Sequence, residues 1–186
     1  MPEDEKIIAL LFARSEQGIS ELDRKYGKLC HKLSYNIVNS VQDAEECVND
    51  AWLGVWNAIP PTRPNPLLAY LCKIVRNLSL KMYYRKKAAG RSSYYTVAMD
   101  EIEETLSDLD TAETELEARE LTRLLERFLD TLTVENRVIF VRRYWFADSC
   151  RDIAECTGFS EKNVTVRLTR VRQKLREFLR KRGVIV

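Results

Sequence analysis

One stretch, Ser149 to Arg182, restricts the possible folds of this chain more than any other. Ser149 is followed three residues later by Asp152, a capping pattern that predicts the start of a short helix. Gly158 suits the left-handed position at which that helix ends, and Ser160 can cap a second one. Val164, Leu168, Val171, Leu175 and Phe178 then recur at i, i+4, i+7, i+11 and i+14, a single apolar stripe. Across from it Asn163, Arg167, Arg170 and Lys174 keep the same rhythm, with Lys162 and Thr169 beside them. A short helix, a tight glycine turn and a longer helix with one apolar and one basic face predict a helix-turn-helix. Arg and Asn can grip guanine and adenine edges bidentately in a major groove. A solvated basic helix closing an all-α bundle is the plainer alternative. Ser160 to Arg182 holds nine basic residues against two acidic ones, whereas a merely solvated face mixes signs, so the excess favours DNA.

The net charge of +2 is uninformative, but its distribution is not. Residues 1–88 carry 13 basic and 10 acidic groups, residues 89–113 carry 1 and 7, and residues 114–186 carry 16 and 11. Two mildly basic blocks around an acidic joint predict two domains, 1–88 and 114–186, and a flexible linker at 89–113. The five cysteines are scattered, with no C-x-x-C and one histidine, His31, so neither a disulfide framework nor a metal site is expected. No cofactor is expected either. An acidic N-terminus without a signal-like apolar run, and no span of membrane length, predict a soluble cytoplasmic protein without membrane insertion.

Helical periodicity dominates the first block. Ile7, Ile8, Leu11 and Phe12 mark one helix, Gly18 and Gly27 punctuate the next segment, and Leu22, Tyr26, Leu29, Leu33 and Ile37 continue the stripe. Ser40 precedes Asp43 in another capping pattern and opens a helix to about Ile59, whose wide apolar set makes it central. The prolines of P-P-T-R-P-N-P (60–66) impose a stiff loop, and the next helix spans about Leu67 to Lys87. That helix turns Leu71, Ile74, Val75, Leu78 and Met82 inward and Lys73, Arg76, Asn77, Lys81 and Tyr84 outward. Periodicity weakens from Ala88 to about Thr111. It returns with Leu116, Leu121, Leu124, Leu125, Phe128 and Leu132, and a helix capped by Thr133 carries Val138, Ile139, Val141 and Tyr144.

In this order the pieces resemble an extracytoplasmic-function (group IV) sigma factor of bacterial RNA polymerase. Three segments carry the resemblance: D-A-E-E-C-V-N-D-A-W-L-G-V-W (43–56), A-Y-L-C-K-I-V-R-N-L (69–78), and L-D-T-L-T-V-E-N-R-V-I-F-V-R-R-Y (129–144) with the helix-turn-helix. The resemblance implies an all-α fold with a region 2-like bundle and a region 4-like domain. It implies that core polymerase, through its β′ clamp helices and β flap, and promoter DNA are partners. Glu46, Asn49 and Asp50, a polar edge at i, i+3 and i+4, would meet the clamp helices, where carboxylates pair with arginines. The loop at 60–66 stands where the family captures a flipped −10 base, with Thr62, Arg63 and Asn65 able to bond its edge, although its prolines depart from the family pattern. Lys73, Arg76, Asn77, Lys81 and Tyr84 would track the melted strand. Tyr70 stands where the family commonly has Trp.

For the −35 element the same resemblance, joined to the helix pattern, points to Glu161, Lys162, Asn163, Val166 and Arg167 for base edges. Arg170, Lys174 and Arg142 or Arg143 would contact phosphates. The resemblance also implies an anti-sigma factor as a partner and a monomer when free; with no extension following Val186, control is expected from a separate partner or from expression level. Without a nucleophile–base pair, metal cluster or phosphate loop, no enzyme is expected. A dimeric helix-turn-helix repressor or activator is the first alternative, and it leaves the 43–56 edge and the basic 73–87 helix unexplained. A helical protein-interaction module is the second, and it leaves the basic recognition helix unexplained.

Overall fold

The computed structural model describes residues 3–86, 94–105 and 115–184, the side chains of 103–105 and 115–119 excepted. The described residues form helices and no strand, in two compact units that divide at Tyr94/Tyr95.

The first unit is built from α1 (Glu3–Phe12), α2 (Gln17–Val38), α3 (Val41–Ala58) and α4 (Leu67–Lys86). The last three pack against one another, and α1 lies on α2. Their stripes close over Leu11, Leu22, Leu33, Ile37, Val48, Ala51, Val55, Leu71 and Val75, all buried. Gly18 and Gly27 do not break the chain; both are buried inside α2. At Gly27 a Cβ would come within 2.5 Å of the Asp23 carboxylate. That close approach leaves Asp23 in place to accept the Trp52 indole N–H at 3.2 Å, tying α2 to α3. The α2 helix ends at Asn39 in the left-handed region (φ 53°), and Ser40 then caps α3 by accepting the Asp43 N–H.

The second unit holds α5 (Tyr94–Thr105), α6 (Glu115–Asp130), α7 (Val134–Tyr144), α8 (Cys150–Thr157) and α9 (Glu161–Arg180). Three of these start at hydroxyl caps: Thr133, Ser149 and Ser160 accept the N–H of Asn136, Asp152 and Asn163. Gly158 takes φ +74° at the turn between α8 and α9, the conformation that an L side chain adopts at a cost. Phe128, Ile139, Ile153, Val164, Leu168, Val171 and Leu175 form the core. On α7, Val138 is 41% exposed, while Ile139, Phe140 and Tyr144 are buried. The expected core side chain of Leu116 lies outside the described residues.

The stretch 89–113 departs from a plain linker. Its described part is the helix α5, with Ala98 buried in the second unit's core and Met99 and Ile102 packed beside it. Tyr95, Ala98, Met99 and Ile102 stand at i, i+3, i+4 and i+7, a short helical stripe set among acidic residues. An ion pair between Glu101 and Arg143 accounts for part of its attachment.

Candidate nucleic-acid interface

The α9 helix sorts its side chains by angle. Val164, Leu168, Val171, Leu175 and Leu179 are buried, and Asn163, Val166, Arg170 and Lys174 are exposed. Together with Arg167 and Asn136 of α7, these last four line one groove. Glu161 and Lys162 are exposed in the first turn of α9, so of the expected base-reading and phosphate residues of this helix all are exposed except the half-buried Arg167.

Arg167 is held from three sides. Its Nε donates to Asn163 Oδ1 at 2.7 Å, an Nη donates to Asn136 Oδ1 at 2.9 Å, and its guanidinium lies 4.3 Å from the Phe159 ring centroid. Asn136 and Phe159 were not among the sequence candidates. Asn136 lies 31 residues from Arg167 and is brought to it only by packing of α7 on α9.

The two adjacent arginines of α7 separate in the structure. Arg142 is half-buried and pairs with the buried Asp148 carboxylate at 2.8 Å. Arg143 is 3% exposed, which is incompatible with the phosphate contact expected of it. It stands at i+4 from Ile139 and i+3 from Phe140, on the core face of α7. Its Nε and an Nη donate to Glu101 of α5 at 3.1 and 2.6 Å, and its other Nη donates to the Asp148 carbonyl at 2.9 Å. Burial works against the Arg143 charge, but Glu101 outweighs it and the guanidinium pKa is raised. Tyr144 donates to Glu101 at 3.2 Å and accepts from Arg172 at 2.8 Å, while burial pushes its phenol up to about 12. Arg172 also reaches Glu101, at 3.3 Å. One carboxylate of α5 thus gathers Arg143, Tyr144 and Arg172.

In the first unit, Lys73, Arg76, Asn77, Lys81 and Tyr84 share one face of α4, opposite the buried Leu71, Cys72, Val75, Ser79 and Met82. Lys73, Asn77, Lys81 and Tyr84 are exposed and Arg76 is half-buried. Tyr83 meets Tyr84 edge to face, with centroids 5.3 Å apart. In the 60–66 loop Thr62, Arg63 and Asn65 are exposed and Pro64 is buried. Arg63 leans toward α1, donating to Glu5 at 2.9 Å and lying 5.9 Å from the Phe12 centroid.

On α3, Glu46, Asn49 and Asp50 are exposed on the side away from Cys47, Val48 and Ala51. Leu53, absent from the sequence candidates, stands among them 59% exposed. Its spacing of i+3 and i+4 from Asp50 and Asn49 was the available signal. Glu46 has Arg85 at 3.9 Å, an exposed and loose pair.

The family model of sigma-70 region 2 matches residues 22–89, and that of sigma-70 region 4 matches residues 122–175. The chain belongs to the sigma-70 family. Its make-up is that of an extracytoplasmic-function sigma factor, which binds core RNA polymerase and promoter DNA and directs transcription initiation at specific promoters. No curated relative matches it. Among solved structures the sigma factor is similar to CnrH, in the structure of CnrH in complex with the cytosolic domain of CnrY. Identity is 19%, covering 97% of this chain and 99% of that one, with a TM-score of 0.45. Described α5 lies outside both matched regions of the sigma factor. Among its described residues no helix is long and apolar enough to cross a membrane, and no group of three His, Cys, Asp or Glu is placed to hold a metal ion.

Proposed function

We propose that the sigma factor divides promoter work between its two units, the first engaging core polymerase and the −10 region and the second reading the −35 element. The second unit then begins near Tyr95 rather than at 114, because α5 shares its core. The observation that carries the reading is the sorting on α9: an apolar stripe turned inward, and a groove of Asn163, Val166, Arg167, Arg170 and Lys174 turned outward. Arg167 and Asn163, with Glu161, Lys162 and Val166, read base edges, and Arg170 and Lys174 hold phosphates. Arg142 keeps an exposed fraction for a phosphate; Arg143 leaves the set and serves the interior.

On the first unit, α4 offers lysines and tyrosines along one face, a surface suited to a melted strand. Thr62, Arg63 and Asn65 form the rim for a flipped base. Glu46, Asn49 and Asp50 surround Leu53, so the β′ contact combines charge-assisted bonds with an apolar anchor. Exposed Val134, Val138 and Trp145 recur along α7 at i, i+4 and i+11 and offer an apolar seat for the β flap. A cytoplasmic protein, monomeric when free, restrained by a separate anti-sigma factor and performing no covalent chemistry, fits the same reading.

The test is reconstitution with sigma-free core polymerase and run-off transcription from a promoter library. Glu46→Ala/Asn49→Ala/Asp50→Ala is expected to weaken core binding roughly 30-fold or more, since clustered polar hot spots cost at least about 2 kcal/mol. Wild-type binding by the triple variant would remove the α3 assignment. A protein that ignores core yet shifts duplex DNA alone would point to an operator-binding regulator.

A further inference from the structure

The arginines of the second unit are held in two chemically different ways. Arg142, Arg143 and Arg172 pair with carboxylates, Asp148 and Glu101, so their charges are spent inside the unit. Arg167 is held by two amide oxygens and an aromatic ring, Asn136, Asn163 and Phe159. Neutral acceptors fix a guanidinium without cancelling its charge, and a ring face adds cation–π attraction. The nearby Glu135 carboxylate is engaged elsewhere: its pKa is lowered first by its own backbone N–H and then by Thr133, with Arg167 a minor contributor. Arg167 is therefore both immobilised and fully charged, at the edge of a groove.

Two of the five guanidinium N–H groups are occupied, by Asn163 and Asn136. Asn163 takes the Nε hydrogen and Asn136 one hydrogen of one Nη, which leaves each Nη with at least one N–H to present as paired donors. Paired donors of that kind match the N7 and O6 acceptors of guanine. Asn136 comes from α7, outside the recognition helix, and is the one strut that α9 does not supply itself.

We infer that Asn136 is a specificity-determining positioning residue, which fixes Arg167 for one guanine of the −35 element. The inference rests on the proposed reading of α9. Asn136 sets the angle of the fork; Arg167 makes the base contact. Loss of Asn136 leaves the cation in place and frees its orientation, so discrimination falls while general attraction to DNA stays.

The test uses the full-length protein with core polymerase and a promoter library randomised across the −35 element. Binding is measured as a function of salt, and unfolding is followed in parallel. Arg167→Ala should abolish the preference at one base pair, a loss of about tenfold or more. Asn136→Ala should relax the preference at that same base pair with the salt slope unchanged. The double variant should be no less selective there than Arg167→Ala alone. Asn136→Ser, which retains a small polar side chain at the position, should reproduce the relaxation if Asn136→Ala folds poorly. Relaxation by both Asn136 variants at a different position, equal loss at every position, or no loss at all would overturn the inference while Arg167→Ala upholds the α9 reading. If Arg167→Ala leaves promoter selection unchanged, the α9 reading fails and the role of Asn136 fails with it.

Discussion

The cations of α4 and α9 are presented in different ways, although both helices bury one stripe and expose another. On α4 they are mainly lysines, Lys73 and Lys81 exposed beside Tyr84. On α9 and its neighbour α7 they are mainly arginines, and nearly every one of those near the core has a fixed partner. A lysine is a flexible point charge, and an arginine is a rigid fork. On the proposed division of promoter work the difference would suit two substrates: a single strand whose bases and backbone shift, which loose charges and stacking rings can follow, and a duplex whose base edges stand at set positions. Counting basic residues overstates what the second unit offers to DNA, because Arg143 and most of Arg172 serve the interior.

The largest effect that would break this contrast lies at Glu101. Glu101→Ala should destabilise the second unit by about 3–5 kcal/mol, because a buried charge loses its partner. Denaturant unfolding should show the transition of that unit moving while that of the first unit holds. Arg143→Met on the Glu101→Ala background should restore part of the loss; no recovery would mean that the cost lies in α5 packing instead. Salt dependence sharpens the comparison next. Arg170→Ala and Lys174→Ala should each lower the slope of duplex binding by roughly 0.9, and Lys73→Ala and Lys81→Ala should each lower that of single-strand binding by roughly 0.7. Crossed effects, with α4 variants changing duplex slopes, would merge the two surfaces into one.

The smallest effect concerns Asp43, whose carboxyl is held below its usual range first by the Lys86 hydrogen bond, opposed by partial burial. A depressed carboxylate stabilises the folded state above its unfolded pKa of about 3.9, and that contribution disappears as pH falls through the lower folded value. Lys86 is half exposed, so solvent screening limits the pair to about 0.5 kcal/mol. Asp43→Asn should lower the first unit's stability by that amount at neutral pH and leave it nearly unchanged at the acid end, where the native carboxyl is already protonated, so that the acid limb flattens, as urea titrations at several pH values would show.

Local chemistry made much of the fold legible in the sequence. Ser40, Thr133, Ser149 and Ser160 all cap the helices that their spacing announced, and the α9 stripe is buried as its period required. What escaped was long-range. The bond from Arg167 to Asn136 and the ion pair of Arg143 with Glu101 join residues far apart in sequence, and no pattern within a window of ten or twenty residues contains them. The α5 helix was legible in part: Tyr95, Ala98, Met99 and Ile102 keep helical spacing, but the acidic residues among them made the segment read as a linker. Arg143 and Leu53 were readable in principle. Each stands at helical spacing from residues already assigned to a face, and residue type overrode position.

Trp145, partly exposed at the end of α7, gives the sigma factor a spectroscopic address. It is the single tryptophan of the second unit, Trp52 and Trp56 both belonging to α3. With Trp52→Phe and Trp56→Phe, indole emission would come from the α7 face alone. Any protein that settles over Val134 and Val138 and withdraws that ring from water would shift the light to shorter wavelength, with no label attached.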